Sequence, residues 1–328
     1  MKLSCTARGA AGLLAAALLL TGCGSGGNAA GGDKPLQIGI AQIVDIDPLN
    51  ATRESFKQAL QEHGYPEGSK VVYDYQNAQG DQATATQIAS GFATGGKDLI
   101  LAISTLSAQT AAQATTDIPV VFSAVTEPQK AGIVASWDKP GANVTGTSNL
   151  GPVEKQIGLV KDLAPAAKSV GVVYSSGEVN SQVQVDLARK AAAKLGLEFK
   201  EAAVSGTAEV QQAAKSLDVD ALYIPTDAHV VSALDTVVEV AESRQIPLIV
   251  GDGASVQNGG LATYGVDYRK LGYQTGLMAI KVLEGADPAT MPVETLDESQ
   301  LIINKAAARQ MGVTVPQQLL DAADQVIE

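Results

Sequence analysis

Cysteine, histidine and aromatic residues are all scarce in this sequence. Among 328 residues there are two cysteines and two histidines, and aromatic side chains make up 4%. Both cysteines, Cys5 and Cys23, lie close to the amino terminus. The rest of the chain therefore offers no thiol for nucleophilic catalysis, a disulfide or a cysteine-based zinc site, and its hydrophobic core alone must hold it together.

Positive charge is also in short supply. The chain has 23 basic residues against 35 acidic ones, a net charge of −12. Binding along a nucleic acid needs clustered lysine and arginine, so we expect no nucleic-acid partner. The length and the 45% of hydrophobic residues suffice for about two lobes. Beyond the amino-terminal segment, no apolar run is long enough to span a bilayer.

The amino terminus has the pattern of an export signal. Lys2 and Arg8 provide positive charge, and residues 10–20 form an apolar stretch that is short for a membrane span. The following residues, Leu-Thr-Gly-Cys ending at Cys23, resemble a bacterial lipobox, in which the cysteine is acylated and the preceding residues are removed. The alternative is an ordinary secretory signal followed by a chance cysteine.

This pattern predicts where the protein is located. Residues 1–22 are predicted to be a lipoprotein signal peptide, with lipidation, such as by palmitate, at Cys23. Residues 23–34 are rich in glycine, which is typical of a flexible tether. We expect a bacterial, extracytoplasmic protein that a lipid anchor holds at the cell membrane without spanning it.

Apolar runs alternate with amphipathic stretches through the rest of the chain. Helices are predicted over Thr52–His63 and Val183–Leu195, where apolar residues share one face and a glycine follows. Most predicted strands are continuous apolar runs, as expected of parallel strands covered on both faces. The predicted fold class is therefore α/β, with parallel sheets flanked by helices. The predicted strands are Leu36–Ile43, Val71–Tyr75, Leu99–Ile103, Val120–Ser123, Val170–Tyr174, Phe199–Val204, Ala221–Ile224 and Pro247–Val250.

The two halves of the chain resemble each other. The stretch Asp98–Thr105 parallels Asp220–Thr226, and each is followed by an Ala-rich helical stretch and then by a strand that opens at a proline, Pro119 or Pro247. We therefore predict two similar lobes. Because ligands of open α/β sheets bind beyond the carboxyl ends of the strands, we expect a ligand cleft between the lobes.

Polar residues follow the predicted strands where such a cleft would lie. Hydroxyl groups and helix amino termini suit a ligand carboxylate, whereas Glu178, Asp227 or Asp252 can pair with an ammonium group. The same residue types also serve as ordinary N-caps. Tyr174 and Tyr223 could cover an apolar part of the ligand, or Tyr223 could belong to the core. We expect a small, amino-acid-like ligand. The candidate ligand-binding residues are Asp47, Ser104, Thr105, Ser123, Thr126, Glu178, Asn180, Thr226, Asp227 and Asp252.

The sequence shows no pattern of a catalytic or cofactor site. It has no Gly-x-Ser-x-Gly elbow, no P-loop and no spacing typical of zinc ligands. His229 near Asp227 could act as a base, and Asp45 with Asp47 could bind a hard cation, but a ligand contact or a helix cap is the preferred interpretation. We therefore expect no enzyme activity, no metal and no cofactor.

Several longer stretches carry a family resemblance. They are Pro119–Pro128, Ala131–Val134, Pro140–Gly146, Glu178–Ser181, Tyr223–Asp227, Ala262–Tyr268 and Leu271–Gly272. With these stretches the chain resembles the tryptophan/tyrosine-type ABC transporter substrate-binding proteins, which have the type I periplasmic binding fold. The resemblance extends from about Leu36 to the carboxyl terminus. It departs at Glu127, where relatives more often have aspartate, and at Ala228, where they often have asparagine.

The resemblance implies a clamp of two lobes joined by three crossovers. The amino-terminal lobe would comprise residues 35–147 and about 266–296, and the carboxyl-terminal lobe residues 148–265 and about 297–328. The crossovers are expected near Val144–Leu150, Ala262–Asp267 and Glu294–Leu301.

The resemblance also implies a function. The lobes of a monomer would close on a small ligand, which in relatives is an aromatic amino acid, and the closed form would be presented to an ABC permease and, through it, to an ATPase. The alternative is a surface lipoprotein of the same fold that senses a nucleoside, a sugar or another small solute.

Overall fold

Two β-sheets with helices packed against them form the described part of the chain. The computed structural model describes residues 34–296 and 298–328. The predicted signal peptide over residues 1–22, the lipidation of Cys23 and the tether up to residue 33 therefore lie outside the described residues. Within the described ranges, no helix combines the length and the apolar character that crossing a membrane requires.

Strands and helices alternate along the chain. In chain order, the strands are β1 (Leu36–Gln42), β2 (Val71–Asn77), β3 (Leu99–Ile103), β4 (Val120–Ser123), β5 (Val144–Ser148), β6 (Ser169–Ser175), β7 (Glu198–Val204), β8 (Leu222–Ile224), β9 (Leu248–Val250), β10 (Ala262–Gly265), β11 (Glu294–Thr295), β12 (Gln300–Asn304) and β13 (Gln325–Ile327). The helices are α1 (Asp47–Glu62), α2 (Gln82–Thr94), α3 (Thr105–Ala114), α4 (Val153–Leu163), α5 (Val179–Lys194), α6 (Val210–Ser216), α7 (Ala228–Ser232), α8 (Leu234–Arg244), α9 (Gly253–Gln257), α10 (Tyr268–Leu283), α11 (Lys305–Gln310) and α12 (Gln317–Asp321).

Both sheets are built mainly from parallel strands. The first has the order β11-β5-β4-β3-β1-β2, and the second has the order β13-β12-β10-β9-β8-β6-β7. The described pairs are parallel except for the pairing of β10 with β12. The predicted α/β class with parallel sheets is confirmed.

In the first sheet, successive residues of a strand pack against helices on opposite faces of the sheet. In β3, Leu101 joins a buried cluster with Phe56 of α1 and Leu271 of α10. Its neighbour Ile100 joins another cluster with Phe92 of α2. Successive strand residues point to opposite faces, so a strand covered on both sides must be apolar throughout. This explains the unbroken apolar runs in the sequence.

The second sheet has a hydrophobic core of its own. Val172 of β6, Leu222 of β8 and Ile303 of β12 are fully buried, and they share one cluster with Ile157 of α4 and Ala188 of α5. Each sheet is therefore stabilised separately by burial of apolar surface. Such an arrangement allows the two halves to move relative to each other without disrupting either core.

The chain passes between the two sheets three times. It leaves the first sheet after β5 and enters α4, returns between β10 and α10, and crosses again between β11 and β12. Helix α10 packs against α1 in the first half, although the strand before it belongs to the second sheet. The connections are short. The exact lobe boundaries, 35–147 with 266–296 and 148–265 with 297–328, stay a prediction.

Several bounds differ from the sequence-based expectations, and helix α5 begins at Val179 rather than at Val183. The segment expected as the first crossover, Val144–Leu150, contains strand β5, which pairs with β4 before the chain leaves the sheet. Helix α1 begins at Asp47 rather than at Thr52. Pro48 lies in its first turn, where the missing N–H costs nothing and the fixed φ favours the helix.

Helices α1 and α10 approach each other closely at a glycine. A Cβ on Gly272 would lie 2.2 Å from the carbonyl oxygen of Thr52 and 2.7 Å from its Cα. Both are backbone atoms that cannot turn aside, so only glycine fits at this crossing. The close packing holds α10, and with it the second connection between the sheets, against the first half.

Candidate functional site

The carboxyl ends of the strands of both sheets face a shared cavity. The space between the lining residues, counted together with its solvent-open part, is about 590 Å³. Eight of the ten candidate residues line it. They are Ser104, Thr105, Thr126, Glu178, Asn180, Thr226, Asp227 and Asp252.

The wall from the first half presents hydroxyl groups at the start of α3. Ser104 follows β3 in an unusual backbone conformation with φ of 93°, and no side chain caps the helix. The hydroxyl oxygens of Ser104 and Thr105 are buried and have no hydrogen-bond partner among the described residues. The first N–H groups of a helix also lack partners within it and carry a partial positive charge. This corner of the cavity is built to receive an anion or another strong acceptor.

The wall from the second half carries carboxylates, of which Asp227 is the most constrained. Its side chain accepts hydrogen bonds from the Ser175 N–H at 2.6 Å, the Ser181 hydroxyl at 2.7 Å and the Val230 N–H at 2.9 Å. It thereby caps α7. Burial, together with the neighbouring Glu178 carboxylate, raises the pKa of Asp227 to about 7. A cation placed beside this group would offset the unfavourable burial of its charge.

Glu178 forms an ion pair with a histidine that also faces the first half. Its Oε1 lies 2.9 Å from Nδ1 of His229, and its Oε2 accepts from the Ala228 N–H at 3.1 Å. This contact raises the pKa of His229. The other ring nitrogen, Nε2, lies 3.5 Å from the position that a Cβ on Gly80 would occupy. The ring therefore bridges from the second half to the loop after β2 of the first half.

Asp252 provides a third carboxylate in this wall. It caps α9 by accepting from the Ser255 N–H at 2.9 Å and the Ser255 hydroxyl at 2.7 Å. Burial raises its pKa. Nearby, Asn180 donates to the Thr226 carbonyl oxygen at 3.1 Å. The carboxylates that the sequence suggested as ammonium partners thus act as helix caps and line the cavity at the same time.

Apolar side chains fill the space between the two polar walls. They come from the loops after β1 and β4, from the first turns of α1 and α3, and from α7. These residues are Ile43, Ile46, Pro48, Leu49, Leu106, Ala124 and Val231. Tyr268 at the start of α10 completes the lining. The cavity therefore suits a molecule with an apolar body and charged or polar groups at separate points.

The structure places two candidate residues outside this cavity. Asp47 lines neighbouring grooves instead and accepts a hydrogen bond at 3.0 Å from the side-chain amide of Asn258 in the other half. Ser123 is buried, with its hydroxyl 2.8 Å from that of Thr275 and 3.1 Å from that of Thr147. Two residues after Val121, it points to the same face of the sheet, toward α10.

Sequence reasoning missed Asn149 and Tyr268, which both line the cavity. Each stands at a crossing between the sheets, and only the three-dimensional arrangement brings them to the strand ends. The tyrosines considered from the sequence lie elsewhere among the described residues. Tyr223 is fully buried in the second core and donates to Oε1 of Gln156 at 2.7 Å, and Tyr174 packs against that same core.

The cluster of Glu178, Asp227 and His229 brings three potential metal ligand atoms within 4.8 Å of one another. The oxygens of both carboxylates, however, already accept hydrogen bonds from protein groups, including N–H groups of α7. A metal ion would have to break these caps. The donor set therefore fits a hydrogen-bonded ion pair better than a metal centre.

Comparisons with known proteins agree with this geometry. A sequence model of the family described as ABC transporter substrate binding protein matches residues 37–327. A protein from Clostridioides difficile (strain R20291) named "Tyrosine-binding protein" is 46% identical over 297 residues, which cover 88% of this chain and 86% of the relative.

Two solved structures of relatives, one with a bound ligand and one without, can be compared with this structure. The crystal structure of an ABC domain in complex with L-Trp from Streptococcus pneumoniae has a TM-score of 0.87 and 36% identity, covering 90% of this chain and 100% of that one. The ligand-free, open structure of a substrate-binding protein with adhesive properties from Clostridium difficile has a TM-score of 0.68 at 42% identity, covering 89% and 99%. The halves are thus arranged more like those of the L-Trp complex, although its sequence is less similar.

Proposed function

The chain belongs to the family of ABC transporter substrate-binding proteins, and from this membership we propose that it captures an aromatic L-amino acid, tyrosine or tryptophan, between its two lobes. The bound amino acid is released unchanged to a membrane permease that an ATPase drives. The lobes, residues 35–147 with 266–296 and residues 148–265 with 297–328, close around the ligand as two bodies.

One observation carries this proposal: the two polar walls of the cavity have opposite chemistry. The first half offers unpartnered hydroxyls of Ser104 and Thr105 at an uncapped helix amino terminus. The second half offers the carboxylates of Glu178, Asp227 and Asp252. A zwitterion bound with its carboxylate toward α3 and its ammonium toward the second half would satisfy both walls. A neutral sugar or nucleoside would bring no cation to the buried carboxyl groups of Asp227 and Asp252.

The apolar lining supports an aromatic side chain on this zwitterion. Ile43, Leu49 and Leu106 are among the residues that separate the polar walls, and burying an aromatic ring against them gains free energy in proportion to the apolar area. The names of the two relatives, one tyrosine-binding and one solved with L-Trp, make these two amino acids the first probes.

Closure explains how capture would be communicated to a permease. The arrangement of the halves resembles the L-Trp complex more than the open structure, and contacts such as Asn258 to Asp47 already join the halves outside the cavity. A ligand shifts the balance toward the closed form by its higher affinity for that form. We further propose that the protein acts as a monomer outside the cytoplasm, held at the membrane through lipidated Cys23.

Isothermal titration calorimetry tests the proposal. L-tyrosine, L-tryptophan and L-phenylalanine are titrated into the purified protein, and the best of them is compared with its amide and its N-acetyl form. We expect the free amino acid to bind and each blocked form, which lacks one of the two charges, to bind at least about tenfold more weakly. Binding of D-glucose or adenosine in preference to the amino acids would contradict the proposal and favour a receptor for another solute. Mass spectrometry of the released ligand should show an unchanged mass.

A further inference from the structure

Tyr268 occupies a point where the cavity meets two of the connections between the sheets. It is the first residue of α10, directly after the connection from β10. The residue is 8% exposed, and it lines the cavity. Asn149, which begins the connection from β5 to α4, is 5% exposed and lines the same cavity. Residues of two separate crossings therefore face the cavity side by side.

A hydrogen bond joins these two residues. Nδ2 of Asn149 donates to the hydroxyl oxygen of Tyr268 at 2.7 Å, and Oδ1 of Asn149 accepts from the hydroxyl of Thr126 at 3.2 Å. Thr126 follows β4 and also lines the cavity. The two hydrogen bonds that link Thr126, Asn149 and Tyr268 thus run along the cavity wall from a strand end of the first half to the start of α10.

These hydrogen bonds leave the O–H donor of Tyr268 unused. The Tyr268 oxygen accepts from Asn149, and the Thr226 side chain, which also lines the cavity, lies beside the same hydroxyl. In residues 34–296 and 298–328, no acceptor receives a well-formed hydrogen bond from the Tyr268 hydroxyl. Burial, followed by the Asp252 carboxylate, raises the pKa of Tyr268, so the phenol keeps its proton at neutral pH. A buried O–H without an acceptor is unfavourable, and this one lies at the edge of a cavity.

We propose that the Tyr268 hydroxyl donates a hydrogen bond to the bound ligand, and that Asn149 positions it to do so in the closed form. The inference rests on the proposed function, because it requires a ligand with an acceptor group, such as the carboxylate of an amino acid. The bond forms only when the connections at Asn149 and Tyr268 hold their observed arrangement. Ligand binding is in this way coupled directly to these two connections between the sheets. The hydroxyl thereby contributes to the preference of the ligand for the closed form.

The chain contains a matched control for this residue. Tyr223 is likewise a buried tyrosine, but its hydroxyl is satisfied by Gln156 inside the second core and it does not line the cavity. Removing the Tyr223 hydroxyl takes away the hydrogen bond to Oε1 of Gln156 and lowers stability. It should leave ligand affinity unchanged. Loss of the Tyr268 hydroxyl also takes a partner from the buried Asn149 amide, but unlike the change at Tyr223 it should weaken ligand binding.

The experiment compares Tyr268→Phe, Tyr223→Phe and Asn149→Ala with the wild type. Affinity for L-tyrosine and L-tryptophan is measured by calorimetry, and the midpoint of thermal unfolding is measured without ligand. We expect Tyr268→Phe to weaken binding about tenfold or more, mainly through faster dissociation, because the lost bond goes to a charged or strongly polar acceptor. Tyr223→Phe should bind within about twofold of the wild type, inside the usual scatter for a remote site.

The double variant of Tyr268 and Asn149 separates positioning from general destabilisation. If Asn149 acts through the hydroxyl, Asn149→Ala should weaken binding, but it should add nothing once Tyr268 is phenylalanine. Wild-type binding together with unchanged affinity of Tyr268→Phe would overturn the inference and leave the proposed function intact. Failure of the wild type to bind either amino acid would instead overturn the proposed function, and the inference with it.

Discussion

Replacing Thr105 by valine removes a buried hydroxyl while keeping the shape of the side chain. Thr105 is 3% exposed, lines the cavity at the start of α3, and its Oγ1 has no hydrogen-bond partner among the described residues. In the ligand-free protein the substitution therefore breaks no bond that the structure shows. In the complex it would remove a donor to the ligand carboxylate.

The two effects have opposite signs, and their sizes follow from the burial. An unsatisfied buried hydroxyl costs roughly 1–3 kcal/mol, so Thr105→Val should leave the free energy of unfolding unchanged or raise it by up to about 1 kcal/mol. That gain corresponds to a midpoint increase of about 2 °C for a protein of this size. A hydrogen bond to a charged group contributes about 1.5–3 kcal/mol, so affinity should fall by about tenfold or more.

Thr263→Val provides the matched control. The Thr263 hydroxyl is also buried and has no partner in the part of the chain that the structure describes, but it lies in β10 and does not line the cavity. Calorimetry with L-tyrosine and thermal unfolding without ligand are run on both variants. Thr263→Val should show the same unchanged or raised midpoint with wild-type affinity. The reasoning would be refuted if Thr105→Val bound as tightly as the wild type, or if both variants lost affinity equally.

Two further predictions concern pH and packing. The pKa of His229 lies above its ordinary 6.5 because its ring contacts a carboxylate, so the stability this residue contributes is complete below that value and is lost as pH rises through the raised pKa. Chemical denaturation should show the advantage of the wild type over His229→Gln shrinking across this window. Gly272→Ala would place a methyl carbon 2.2 Å from the Thr52 carbonyl oxygen and should destabilise the protein by about 3 kcal/mol. Gly158→Ala in α4, where a Cβ meets nothing within 4 Å, should instead stabilise it by about 0.5–1 kcal/mol. A similar loss in both glycine variants, measured by denaturant titration, would contradict the packing argument.

Much of the fold could be predicted because its strands are covered on both faces. The run Leu99–Ile103 is apolar throughout, since Leu101 and Ile100 meet helices on opposite sides of the sheet. The same regularity placed Ser104, Thr105 and Asp227 at strand ends, and these residues do line the cavity. Where parallel strands alternate with helices, the position of a polar residue along the chain is a good guide to its position in the fold.

Other residues could not be placed in this way. Asn149 and Tyr268 are 119 positions apart, and they meet only because two crossings between the sheets lie side by side. Asp47 shifted out of the site because α1 starts earlier than its apolar pattern indicates, which turns this carboxylate toward Asn258. The position of Ser123 could have been predicted from the sequence. Side chains alternate between the two faces of a strand, so Ser123 lies on the same face as Val121.

The central claim is that a zwitterion lies between the hydroxyls of α3 and the carboxylates of the second half. A crystal structure of the complex with whichever of L-tyrosine and L-tryptophan binds more tightly tests it most directly. We expect the ligand carboxylate within about 3 Å of the Ser104 and Thr105 hydroxyls and the ammonium on the side of Asp227 and Asp252. A ligand bound with its carboxylate toward the second half, or outside this cavity, would contradict the account.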